Sequence, residues 1–310
     1  MLPALLLLIA PPTLDTEAAW TIAQTSRSQA VLVMQEGKIV FERYANGGRQ
    51  SLPHALASGS KSFTGLLAVA AVQDGLLSSL DEKVADTLPE WKKDPIKSKV
   101  TIRQLLSLES GMAGGSAALD SNWISYADAA SQPIRWQPET RFHYGPYPFL
   151  TFGAVLAKKL KGETVEAFLN RRLLEPLGIK ALWKKTEAGE IALPGGAAMT
   201  ARDWATLGQF LIQEGKWKGK QLLPAGLLKE CYRPAKANPG YGMSFWLTPD
   251  TSALFRRGKT KADFAMAAGK GGQRLYLLPK QGLVVIRMGP VFRDDYRDEP
   301  FLSALLGKSF

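Results

Sequence analysis

Ser58-Gly59-Ser60-Lys61-Ser62-Phe63-Thr64-Gly65-Leu66-Leu67-Ala68-Val69-Ala70 is the stretch around which the rest of the chain can be ordered. Nowhere else in the 310 residues does a serine stand three places before a lysine. Phe63, Leu66, Leu67 and Ala70 recur with helical spacing, which predicts a helix running to about Gln73 and stopping at Asp74-Gly75. Residues three apart on a helix share a face, so the Ser58 hydroxyl and the Lys61 amine can touch. A serine hydroxyl is a weak nucleophile until a neighbouring base takes its proton. Lysine can be that base where burial keeps it neutral. A helix start also offers free backbone N–H groups to a developing oxyanion. The same residues equally suit a helix N-cap followed by a solvated lysine.

Upstream, residues 15–29 fit a helix. Ala30–Gln35 and Ile39–Tyr44 are apolar runs joined by Glu36-Gly37-Lys38, which predicts a β-hairpin. Downstream, helical spacing covers Thr101–Leu108, Leu150–Lys159, Val165–Leu174 and Thr200–Glu214. After Gly240 the period returns to two. Met243–Leu247, Ala253–Arg257, Phe264–Ala268, Gln273–Leu278 and Leu283–Met288 are expected strands, with a hairpin turn at Lys280-Gln281-Gly282. A closing helix is expected near Phe301–Leu306. Strands at both ends with helices between predict an α+β fold. In it, one antiparallel sheet is built from both chain ends and flanked by helices, and the middle forms an inserted all-helical lobe. The boundaries so read are 15–75 and 196–310 for the sheet lobe and 76–195 for the helical lobe. Ser58 then falls where the lobes meet, a common position for a pocket.

Composition narrows the chemistry. The single cysteine, Cys231, allows no intrachain disulfide and suits a packing role. With only His54 and His143, a histidine-rich metal site is disfavoured and a serine triad would have to use one of the two. No cofactor and no metal is called for. The net charge of +11 is scattered in pairs such as Lys92-Lys93 and Arg171-Arg172, without a basic stripe interleaved with aromatics. That argues against nucleic acid as a partner. Leu2–Ala10 is apolar, followed by Pro11-Pro12, and is too short to span a bilayer. Residues 1–14 read as a signal remnant, which points to a periplasmic or secreted protein, with the cytoplasm as the alternative.

Three other motifs fail. Gly258-Lys259-Thr260 has the tail of a phosphate-binding loop, but Ala253 stands where its first glycine belongs. Gly114-Gly115-Ser116-Ala117-Ala118 lacks the last glycine of a nucleophile elbow. Asp294-Asp295 and Asp298-Glu299, interleaved with Arg293 and Arg297, read as a solvated, self-paired surface segment.

Ala57 through Lys83, with Asp74-Gly75-Leu76-Leu77 and Leu80-Asp81, resembles the serine β-lactamase-related superfamily. Within it, the branch holding class C β-lactamases, D-stereospecific peptidases and family VIII carboxylesterases is most similar. Five further blocks follow in order. They are Thr101–Gly111, Arg141-Phe142-His143-Tyr144, Leu174–Gly178, Pro194-Gly195-Gly196 with Thr200–Asp203, and Ala268-Gly269-Lys270-Gly271-Gly272-Gln273. The resemblance implies acyl transfer through a serine ester, with Ser58 as nucleophile, Lys61 as base and Tyr144 as proton shuttle. It places Lys270-Gly271-Gly272 at the family's Lys-Thr-Gly position and makes the backbone N–H of Gln273 the second oxyanion donor. Tyr144-Gly145-Pro146 lacks the side-chain amide of the family's Tyr-x-Asn motif. Tyr44-Ala45-Asn46 spells that motif better but precedes the nucleophile. His54 and His143 are then structural. The expected substrate is a small ester, amide or lactam. Esters come first, because Gly271 supplies no hydroxyl and Gly145-Pro146 no amide. A D-amino-acid peptidase or β-lactamase is the alternative, and a non-catalytic penicillin-binding sensor or polyanion binder the reading from another class.

Overall fold

The apolar runs at the two ends of the chain pair with each other in the computed structural model, which describes residues 13–115, 123–247, 264–293 and 295–307. The strands in chain order are β1 (Ala30–Gln35), β2 (Lys38–Tyr44), β3 (His54–Ala55), β4 (Leu182–Trp183), β5 (Ala197–Met199), β6 (Lys216–Trp217), β7 (Lys220–Gln221), β8 (Ala265–Gly269), β9 (Gln273–Leu278) and β10 (Leu283–Met288). The main sheet is antiparallel with order β2-β1-β10-β9-β8. Its closure across the chain is set by β1 on β10, from Ala30 opposite Met288 to Gln35 opposite Leu283. Glu36 and Gly37 both take positive φ, 47° and 77°, the left-handed pair that a two-residue hairpin needs.

The helices are α1 (Thr16–Thr25), α2 (Ser62–Gln73), α3 (Val84–Thr87), α4 (Ile102–Leu106), α5 (Tyr126–Ser131), α6 (Tyr147–Leu160), α7 (Val165–Leu169), α8 (Glu175–Leu177), α9 (Ala201–Ile212), α10 (Ala225–Lys229) and α11 (Asp298–Leu306). Side chains alternate across the sheet, so Val284, Ile286, Leu275 and Leu277 share one face and Val285, Arg287, Arg274 and Tyr276 the other. The α9 helix covers the first face. A Cβ added to Gly208 would stand 2.4 Å from Val284 Cγ1, so overpacking there would cost about 1–3 kcal/mol. The second face carries α1 and α11, which meet through the Asp15 N–H donating to the Leu305 carbonyl at 3.1 Å. Apolar residues line every side of α2, from Phe63 to Ala71, and the helix is buried all round.

Several sequence expectations change. Ser58 and Lys61 lie in a 3-10 turn, Ala57–Lys61, that runs into α2 rather than in the α-helix itself. Ala57 enters it with φ of 47°. Ser60 of the turn bonds to the Ala57 carbonyl and Ser62, the first residue of α2, to that of Gly59, and no side chain caps the helix. Met243–Leu247 is not a strand. Ser244 takes φ of 73° and the Gly242 N–H bonds the Phe245 carbonyl, which folds the segment into a tight turn before Trp246 bridges to Met266. Val165–Leu174 breaks after Leu169 into a π-type turn. The expected strand Ala253–Arg257, the rejected Gly258-Lys259-Thr260 motif, Ser116-Ala117-Ala118, Asp294 and the apolar Leu2–Ala10 lie outside the described residues. A small sheet not expected from sequence, β3-β5-β4, ties the residues before Ser58 to Ala197–Met199. Among the described residues no helix is long and apolar enough to cross a membrane.

Candidate active site

Ser58 sits midway along the 3-10 turn, and that turn packs against the β8 end of the main sheet. A Cβ on Gly269, the last residue of β8, would stand 2.0 Å from the Leu56 carbonyl oxygen and 3.1 Å from the Gly59 nitrogen. Only glycine lets the strand end approach the serine turn this closely.

Lys61 Nζ donates to Ser58 Oγ at 2.9 Å and to the Pro194 carbonyl at 2.8 Å. It lies 4.9 Å from the Tyr144 ring centre and 5.5 Å from that of Phe149. The side chain is 2% exposed, and among the described residues no ion pair reaches it. Burial therefore drives its pKa down from the ordinary 10.5 to about 7. A buried lysine that touches a serine and lacks a counter-ion is a proton acceptor near neutral pH.

Tyr144 comes to the same place from the residues just ahead of α6. Burial pushes its hydroxyl up to about 12, against the downward pull of a hydrogen bond with Ser58, the Arg274 charge and a hydrogen bond from the Trp246 indole. Its ring stacks on Trp246 with centroids 5.5 Å apart and meets Tyr241 edge-on at 6.3 Å. The residue as a whole is 37% exposed. A hydroxyl with that pKa keeps its proton at neutral pH, so it can pass a proton on but is a poor primary base.

Tyr44 is not part of this cluster. It lies on β2, at the opposite edge of the five-stranded sheet from β8, with its hydroxyl on Glu42. His54 is buried in β3 opposite Met199, and burial lowers its pKa. His143 stacks on Trp136 at 5.3 Å. Cys231 is buried beneath α2, 3.4 Å from a Cβ added to Gly65, and burial lifts its thiol to about 12.

The Lys270-Gly271-Gly272 segment forms a turn. The strand facing the serine turn is Ala265-Met266-Ala267-Ala268-Gly269, and Lys270, Gly271 and Gly272 form the hairpin turn beyond it. Gly271 and Gly272 take φ of 79° and 70°, which the turn requires. Lys270 is exposed at this turn. Gln273 is fully buried opposite Gly269 in the ladder, and its amide bonds Gly289 in both directions. Its backbone belongs to the sheet rather than to the serine turn. Asp298 also departs from the solvated reading. It is buried at the start of α11, where it takes both arms of Arg274 at 2.7 and 3.1 Å. Helix α11 lies on the sheet face, and that placement carries the carboxylate to β9.

Sequence reasoning missed two partners. The Pro194 carbonyl is a backbone atom with no side-chain signal, although Pro194-Gly195-Gly196 was one of the resembling blocks. Trp246 belongs to the stretch misread as a strand.

A family model described as Beta-lactamase matches residues 19–300. A lovastatin esterase of Penicillium rubens is 29% identical over 154 residues, covering 40% of this chain and 37% of its own. Beta-lactamase-like protein 4 of Dictyostelium discoideum is 23% identical over 283 residues, covering 71% of this chain and 49% of its own. The chain thus spans about half or less of the length of these two relatives. Among solved structures, EstCE1, a hydrolase with promiscuous acyltransferase activity, superposes with a TM-score of 0.71 at 15% identity, over 88% of this chain and 93% of that one.

Proposed function

Because this chain belongs to the Beta-lactamase family, we propose that it is a serine hydrolase that forms an acyl-enzyme on Ser58 and takes small acyl esters as its preferred substrates. The observation that carries the reading is the 2.9 Å contact between Ser58 Oγ and a Lys61 amine that burial holds near pKa 7.

In the first half-reaction, the neutral Lys61 amine accepts the Ser58 proton as Oγ attacks the ester carbonyl. The tetrahedral oxyanion faces the backbone N–H of Ser58. The second donor is the N–H of Lys270, at the end of the strand that abuts the serine turn, in place of the Gln273 N–H expected from sequence. Tyr144 passes a proton to the leaving alkoxide, and the carbonyl–alkoxide bond breaks. In the second half-reaction, water attacks the acyl-serine, the Tyr144 phenolate takes one of its protons, and the Lys61 ammonium returns the proton it took to Ser58 Oγ as the acid leaves. No net proton is gained or lost by the protein over the cycle.

The ester preference rests on what lines the approach. The strand beside Ser58, Ala265-Met266-Ala267-Ala268-Gly269, carries neither a hydroxyl nor a charge to hold a substrate carboxylate. Pro146 stands where an amide would assist an amine leaving group. Each hydrogen bond to a charged group lost in this way is worth about 1.5–3 kcal/mol. Alkoxides leave with less help. The lovastatin esterase relative points the same way. Measuring kcat/KM on short-chain p-nitrophenyl esters and on penicillins and cephalosporins tests the preference. The account expects efficient ester turnover and slow or absent lactam turnover. A lactam value equal to or above the ester value would overturn the preference while leaving the serine mechanism standing.

A further inference from the structure

Two arginines lie directly opposite each other on the buried α1/α11 face of the sheet, Arg274 on β9 and Arg287 on β10. Like charges facing across a ladder are destabilising, and burying charge costs more still. Arg287 is 1% exposed, and among the described residues its hydrogen bonds go to neutral oxygens: Ser28 Oγ at 2.7 Å, Ser26 Oγ at 2.9 Å, the Ser26 carbonyl at 3.1 Å and the Gly271 carbonyl. A pair so placed is poorly explained by stability alone.

Both guanidiniums end on the same target. Arg274 Nη1 donates to the carbonyls of Gly269 and Gln273, each at 3.0 Å. With Gly271 held by Arg287, the carbonyls that begin, interrupt and close the Lys270–Gly272 turn are gripped from beneath. The grip is itself fixed. Asp298 binds Arg274 at both oxygens and accepts from Tyr276, whose hydroxyl lies 2.9 Å from that of Tyr296. The Tyr296 ring lies 4.3 Å from the Arg287 guanidinium carbon and 5.5 Å from that of Arg274. A Cβ on Gly272 would meet Arg287 Nη1 at 2.4 Å, so the turn rests directly on this cluster.

The Gly269 carbonyl and the Lys270 N–H belong to one peptide unit. A charged donor on the carbonyl polarises that unit and strengthens its N–H as a donor, and it also fixes the plane in which the N–H points. We propose that Arg274, clamped by Asp298, is a positioning residue for oxyanion stabilisation: it orients and polarises the Gly269–Lys270 peptide against the Ser58 turn. The inference rests on the serine-hydrolase reading above. The Arg274 charge is felt across the turn, since it is one of the influences that lower the Tyr144 hydroxyl.

The test compares R274K, D298N and the double variant R274M/D298N with the wild type, using a p-nitrophenyl ester and its thionoester analogue. Removing both charges together leaves neither member of the Arg274–Asp298 pair as a stranded buried ion, so the double variant is the one expected to fold. An oxyanion hole favours oxygen over sulfur, so the oxyester-to-thionoester rate ratio reports its donors, a readout that loosened packing alone does not shift. The expected result is a fall in oxyester kcat of roughly 10–100-fold per folded molecule, less than the ~10²–10³ for losing an oxyanion donor outright. The change in KM should stay within about threefold, and the rate ratio should move toward one. R274K, which keeps the charge without the fork, should fall between. Wild-type kcat in the double variant, equal losses on both esters, or failure of every variant to fold would each overturn the proposal. Failure of the underlying reading looks different: the wild type itself would then turn over neither ester through Ser58.

Discussion

Two buried polar clusters flank the same hairpin turn, and they are built on opposite rules. On one side, Lys61 has a hydroxyl, a carbonyl and two aromatic faces around it, and the described ion pairs leave it without a carboxylate. Its proton is held loosely, at a pKa of about 7. On the other side, Arg274 has a two-armed carboxylate and two carbonyls, and its charge is held more firmly than in water. The first cluster leaves charge uncompensated, which makes it reactive. The second satisfies its charge, which makes it rigid. Reactivity and rigidity are thus separated by one turn of backbone, and substitutions on the two sides should fail in different ways.

The largest effects belong to the reactive side. Ser58→Ala should reduce ester turnover to background, and Lys61→Ala should cost on the order of 10²–10⁴-fold in kcat, with folding retained in both. Steady-state kinetics with circular dichroism checks this. Wild-type turnover in Ser58→Ala would remove Ser58 from the mechanism. Next comes the choice between tyrosines. Tyr144→Phe removes only a hydroxyl and should lower kcat about 10²-fold or more, the scale of a lost proton-transfer group, whereas Tyr44→Phe should leave it near the wild-type value. The reverse ranking would reassign the site to the far edge of the sheet.

Stability should move in opposite directions on the two sides. Arg274→Met alone strands the Asp298 carboxylate and should cost about 3–5 kcal/mol of unfolding free energy, read by denaturant titration. Lys61→Met should raise Tm at neutral pH although it abolishes activity. Lysine in the unfolded chain holds its proton to about 10.5, the folded chain only to about 7. Between those values the unfolded state binds more protons, so this group's contribution to stability rises with pH across that window and is unfavourable at and below neutrality. A lower Tm for Lys61→Met at pH 7 would contradict an amine buried at a cost. The smallest effect is in the pH profile. Ester kcat/KM should rise to a plateau with an apparent pKa near 7, and Tyr144 should impose no alkaline limb until about pH 12.

Much of the scaffold was legible because burial and period coincide. Ala30–Gln35, Gln273–Leu278 and Leu283–Met288 are strands with the limits that their apolar runs suggest, and they are almost wholly buried. Met243–Leu247 has the same composition but turns at Ser244, a left-handed residue that no side-chain pattern announces. The serine–lysine spacing survived a change of local geometry, because residues three apart meet in a 3-10 turn even more directly than on an α-helix. Sequence order favours Tyr144 over Tyr44, and the sheet order sets Tyr44 on the edge strand farthest from β8. The Pro194 carbonyl, the glycine-only contact at Gly269 and the burial of Asp298 stayed hidden. They depend on residues brought together from distant parts of the chain, Pro194 being 133 positions from Lys61 and Asp298 being 24 from Arg274.

The most direct measurement of the central claim is covalent phosphonylation of Ser58 itself. The protein is mixed with a p-nitrophenyl alkylphosphonate across a range of pH, quenched in time, and the adduct is located by peptide mass spectrometry. The account predicts one adduct per chain, on the peptide bearing Ser58, absent from Ser58→Ala, with a labelling rate that rises through pH 7 and levels off. An adduct on another residue, or a Ser58 labelling rate that continues to rise toward pH 10 like that of an ordinary lysine-independent hydroxyl, would contradict it.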